Sequence, residues 1–183
     1  TETRFIIEGG GQPNYPLTDA ARTTREAWDP LDPSNPFLTC TPKGMPIIMQ
    51  QPNPVEFVDE GEVILFRMEE FDTVRRIAMT AEVSTQRDPP TRLGHSVGRW
   101  EENALVVETT GIDWSYFDQN GLRQTDAVET LERFMLDDDG SRLDYEVVVT
   151  DPGLFTEPVM LSKSWRWVPG DEVLPFDCTE SRE

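Results

Sequence analysis

With 183 residues the chain is near the usual size of one domain, and its 37% of hydrophobic residues suffice for one sizeable core. A formal charge of −19, from 35 acids against 16 bases, would repel a phosphate backbone and argues against nucleic acid as a partner. No apolar run approaches the roughly 18 residues of a membrane-spanning helix.

The acids are spread along the chain, so their plain reading is a solvated, highly soluble surface. The alternative is attraction of a basic partner or of divalent cations. No secretory signal is visible, and a start at Thr1 fits a chain whose targeting segment has been removed.

Taken in order, Thr3–Glu8 reads as a short strand and Gly9–Gly11 as a hinge. Leu17–Trp28 reads as a helix, with Thr18 or Asp19 as N-cap and Asp29–Pro30 as its end. Pro30, Pro33, Pro36, Pro42 and Pro46 then punctuate an extended arm that carries Cys40. From Val55 onward apolar and polar residues alternate with period two. This predicts strands at Val55–Asp59, Glu62–Met68, Thr73–Thr80, His95–Trp100, Ala104–Thr110, Ala127–Asp137, Arg142–Thr150 and Pro158–Val168. A shorter one is expected at Val173–Phe176.

Tight turns such as Glu101–Asn103 and Asp137–Gly140 separate the strands, and no crossover helix is visible, so the sheet should be antiparallel. About eight such strands fit a β-barrel of the lipocalin or calycin type; a β-sandwich is the alternative. The expectation is one domain over residues 1–183, with residues 1–54 packed as helix and arm on a barrel of residues 55–183.

Cys40 and Cys178 are the only cysteines, and their placement suggests a staple closing nearly the whole domain in an oxidising compartment. Two free buried thiols are the alternative. With one histidine besides, the ligand set is too small for a structural zinc site. Asp137–Gly140 opens like a calcium loop but lacks the closing glutamate, and a hairpin turn explains it. No Walker A is present, and Gly9–Gly11 lacks the strand–helix context of a nucleotide site, so neither metal nor cofactor is expected.

His95, the only histidine, is the first candidate for acid–base chemistry. On a strand its neighbour Ser96 points to the opposite face, so the two cannot form a nucleophile–base pair. A hydrogen-bonded strand histidine is the plainer reading. Charges also interrupt faces that otherwise read as buried: Lys163 among Val159, Leu161, Trp165 and Trp167, and Glu132 among Val128, Phe134 and Leu136. Arg99 shares a face with His95, and of the adjacent Arg75 and Arg76 one must point inward. Inward charges must pair or meet a ligand. Trp114, in an aromatic stretch with Tyr116 and Phe117, needs something to cover it.

A run of segments carries a resemblance. These are Trp28–Pro30, Cys40 with Gly44-Met45-Pro46, Val74–Ile77, Gly94–Trp100, Leu105–Gly111, Leu131–Phe134, Asp151–Val159 and Asp177–Glu180. Their order resembles a widespread family of uncharacterised exported bacterial proteins. The resemblance implies a secreted or periplasmic β-rich domain, supports pairing of Cys40 with Cys178, and implies no reaction.

Three functions stand as expectations. The first is a periplasmic or extracellular module binding a small apolar or amphipathic ligand through His95, Arg99, Arg76, Glu132, Lys163 and Trp114. The second is an accessory subunit of an exported or membrane-attached assembly, docking on a protein partner through the proline-rich arm. The third is an enzyme using the cavity, with His95 as acid or base and Arg99 stabilising negative charge.

Overall fold

The computed structural model describes residues 15–84 and 88–178. The expected strand Thr3–Glu8 and hinge Gly9–Gly11 lie outside the described residues. The first element is a helix, α1 (Asp19–Glu26), two residues shorter at each end than its apolar spacing suggests. Thr18 is its N-cap, and its hydroxyl accepts the Ala21 N–H at 3.1 Å. Short 3-10 turns follow at Pro36–Leu38 and Ile47–Gln50.

Eight strands come next: β1 (Val55–Asp59), β2 (Val63–Met68), β3 (Thr73–Ala78), β4 (His95–Glu101), β5 (Ala104–Thr110), β6 (Glu129–Leu136), β7 (Arg142–Thr150) and β8 (Val159–Arg166). They form one mainly antiparallel sheet in sequential order, curled into a half-barrel with β1 and β8 as its edges. The fold is therefore the expected eight-stranded β architecture with a short N-terminal helix, and a single sheet rather than a sandwich.

Two details depart from expectation. β3 and β4 pair in parallel, through Ile77↔Ser96 and Ala78↔Val97 only. A parallel neighbour needs a long return path, and the 16 residues between the two strands (79–94) supply it, with no helix among the described ones. Because this contact is so short, β4 runs on past the end of β3. The second departure is Val173–Phe176, which is not a strand. Its backbone meets side chains instead: Leu174 N–H donates to Glu69 Oε2 and Phe176 N–H to Asp72 Oδ1, both at 3.2 Å.

The inner face of the sheet carries Phe66, Ile77, Leu105, Val107, Phe134, Tyr145, Val147, Val149 and Trp165, all buried. Into this concavity the arm inserts Met45, Ile48 and Met49, also buried, while Leu17, just before the α1 cap, and Ala21 of α1 add to the same core. The arm therefore completes a core that an open half-barrel could not close by itself. Gly44 makes the approach possible, because a Cβ there would lie 2.4 Å from the Arg92 carbonyl oxygen and 2.5 Å from Trp114 Cβ. The Cys40–Cys178 disulfide then ties the arm to the C-terminal segment, with Cα atoms 5.9 Å apart.

Candidate functional site

Arg75 sits mid-way along β3 and points into the half-barrel, 1% exposed. Its Nε donates to Ser96 Oγ at 2.9 Å, Nη1 to Glu132 Oε1 at 2.9 Å, and Nη2 to Thr109 Oγ1 at 2.6 Å and to the second Glu132 oxygen. Tyr145 donates its hydroxyl to Glu132 Oε1 at 2.8 Å. Met49 Sδ lies 3.9 Å from Arg75 Nη1, so the arm seals this pair from above. Five strands, β3 to β7, thus supply one buried polar network.

Burial works against the guanidinium charge, but the Glu132 carboxylate outweighs it and holds the Arg75 pKa above its ordinary value. The Tyr145 phenol is pushed well above the usual range, first by burial and then by the Glu132 charge. Both carboxylate oxygens have partners, and the pair is bidentate. Such a network is matched internally and leaves no open position for an anionic head group.

The six residues singled out from sequence do not converge. Glu132 lies inside, as its neighbours Phe134 and Val128 imply. Arg76 faces outward and is exposed; Arg75 is the inward member of the pair. Arg99 lies on the outer face, where its Nε and Nη1 meet Glu101 at 2.8 Å and Glu108 at 2.5 Å, so it does not line the interior. His95 is buried on the face opposite Ser96, with Nε2 2.8 Å from the Pro89 carbonyl oxygen beneath the 88–94 connection. His95 and Arg99 therefore do not aim at one reacting centre. Trp114 is half-buried and covered by the arm, with rings of Phe37 and Tyr116 each 6.2 Å away.

Lys163 occupies the seam between the edge strands β1 and β8. Tyr145 is its cross-strand partner, its ammonium lies 4.1 Å over the Trp165 ring, and Nζ is 3.4 Å from the Gln51 carbonyl oxygen. Burial lowers its pKa to about 7, opposed by the charge of Glu70, which itself pairs with Lys43 of the arm. The cavity beside Lys163, walled by Met49, Val55, Phe66, Met68 and Trp165, measures about 10 Å³. That holds roughly one water molecule, against the hundreds of Å³ of a ligand pocket.

A larger hollow of about 120 Å³ lies outside the core, between Arg67, Thr73 and Val74 and the tail residues Val173, Leu174 and Pro175. Phe71, at φ 54°, packs on Phe176 at 4.6 Å and helps hold the tail there. Among the described residues no group of three or more His, Cys, Asp or Glu side chains is placed to hold a metal ion, and no helix is long and apolar enough to cross a membrane. Compared with known proteins, the chain matches no family model and no curated sequence.

Sequence reasoning leaves Arg75 and Arg76 as alternatives for the inward position and takes Arg76 as the site residue, and it misses Met49, Glu70 and Lys43. Arg75 shares strand parity with Ile77, which was a usable signal, but Val74 gives the other face an apolar residue too. For Met49 the only sign was an apolar run, Met45–Met49, inside a proline-rich segment.

Proposed function

We propose that the protein is a non-catalytic module of a periplasmic or extracellular compartment that acts by binding a protein partner, as an accessory subunit of an exported assembly. One observation carries this reading: the half-barrel is filled by the chain's own arm, and the Arg75 and Glu132 charges at its centre are matched to one another. Recognition then falls to the outer surface. The disulfide joining Cys40 to Cys178 favours an oxidising compartment. The resemblance to exported bacterial proteins favours the same location. The Met45–Met49 end of the arm is part of the core and holds the arm against the sheet, so docking is assigned to the sheet and its turns.

A second reading, binding of a small amphipathic ligand, is favoured by the seam, where apolar walls meet the low-pKa Lys163. It requires Ile48 and Met49 to withdraw and leave room. Native mass spectrometry of the purified protein separates the two. The partner-binding reading expects the mass of the disulfide-bonded chain alone, and cross-linking in the source organism expects a protein adduct. A retained small molecule that disappears in Lys163→Met would replace the first reading by the second.

A further inference from the structure

The end of the half-barrel that carries the β4–β5 and β6–β7 turns leaves three large apolar side chains in solvent: Trp100 at 62%, Leu136 at 58% and Trp167 at 63% exposed. Their exposure has a structural cause. Trp100 lies on the inner face, paired with Leu105, but β3 has ended opposite Val97, so among the described residues no strand pairs with β4 on that side at Trp100. Leu136 continues the inward series Glu132, Phe134 beyond the core. Trp167 follows β8, and its backbone N–H donates to the Ser141 carbonyl oxygen at 2.7 Å, which sets it beside the β6–β7 turn. β4, β6 and β8 alternate with β5 and β7, so at about 4.8 Å per strand the row spans roughly 20 Å.

Between these apolar positions sit the two acidic turns, with Glu102, Asp138 and Asp139 exposed. Of the nearby arginines, Arg99 and Arg133 pair with Glu101 and Arg142 with Asp144, while exposed Arg166, opposite Arg142, is outnumbered by Asp137, Asp138 and Asp139 of the β6–β7 turn. The turns therefore keep their negative charge, next to tryptophans of the kind that anchor interfaces. An anionic membrane surface or a nucleic acid would be repelled by such a rim.

We infer that this rim is a docking surface for a basic amphipathic segment of a partner protein, one that lays an apolar face across Trp100, Leu136 and Trp167 and its Lys or Arg residues against the two acidic turns. The inference rests on the partner-binding reading above and adds the surface and the partner's chemistry. Apolar contact supplies the anchor, while the turns steer the approach and reject acidic competitors.

The test uses the full, oxidised chain and a synthetic amphipathic Lys/Leu peptide, with calorimetry at low and at high salt. Wild type is expected to bind, and Trp100→Ser/Trp167→Ser to bind at least tenfold more weakly with an unchanged melting temperature, since both side chains are exposed. Asp138→Asn/Asp139→Asn is expected to flatten the salt dependence. Leu31→Ser/Leu38→Ser, which removes exposed apolar residues of the arm, is expected to bind as wild type. Equal binding by the tryptophan variant and wild type, or no binding by wild type, overturns the inference. The two levels are then separated with a photo-cross-linker at position 136 or 38 in the source organism. Adducts from 38 and none from 136 sink the rim and leave the partner reading standing. Peptide binding at the rim with no protein adduct from either position keeps the rim and sinks the reading.

Discussion

Single side chains in the core decide how this protein responds to mutation and to pH. Removing the charge of Glu132 as Glu132→Gln leaves a buried guanidinium with half its partners, and such a break costs about 3–5 kcal/mol. Urea denaturation should show that loss, with Arg75→Met/Glu132→Leu/Tyr145→Phe closer to wild type because no buried polar group is then orphaned. A triple variant less stable than Glu132→Gln would mean the network stabilises outright. Lys163 behaves differently. Its folded pKa, about 7, lies below its unfolded value, so the unfolded chain holds the extra proton between pH 7 and roughly 10.4. Stability from this group therefore rises across that window, and the full cost of burying the charge is present below pH 7. Lys163→Met should raise the melting temperature at pH 6 and lose that advantage towards pH 10. A gain that does not change with pH would show that the ammonium is solvated.

Secondary-structure elements were legible to different degrees, and the differences have physical causes. β1 and β7 begin and end where period-two alternation and turn residues place them, because each turns one face to the core and the other towards solvent. β5 keeps its expected bounds too, set by its flanking turns, although Ala104 and Val106 bury its outer face as well. The parallel β3–β4 contact was not legible, since it depends on the path of the 79–94 connection and not on either strand's pattern. In β3, Val74 and Ile77 put an apolar residue on each face, so alternation alone could not choose between Arg75 and Arg76. From sequence the Met45–Met49 run reads as part of an arm, and only the open side of the sheet explains why it is buried. Val173–Phe176 has apolar spacing but no strand to pair with. That tail is held by two side-chain hydrogen bonds, the Phe71–Phe176 contact and the disulfide. Cys178→Ser should accordingly loosen it first. Hydrogen exchange is expected to rise at Leu174 and Phe176 while β5–β7 stay protected, and equal loss of protection throughout would make the bridge a staple of the whole fold.

At the scale of the whole molecule, the charge of −19 acts on the compact state more than on any one contact. The carboxylates repel one another in the folded chain and separate when it unfolds, so low ionic strength should destabilise it. The Debye length falls from about 30 Å at 0.01 M salt to about 10 Å at 0.1 M, which screens charges on different turns of the sheet. Exposed pairs such as Arg67–Glu56 at 2.6 Å weaken under the same screening, but pairs of this kind contribute little. The Arg75–Glu132 pair is sealed from the ions and should not respond. Repulsion should therefore dominate, and the melting temperature should climb with added NaCl over this range. Sodium, potassium and calcium chlorides at matched ionic strength separate screening from binding. Screening alone predicts one common curve, in keeping with the absence of a metal-binding cluster among the described residues. A separate, higher curve for calcium would instead mean that some of the acids are gathered to hold a divalent ion.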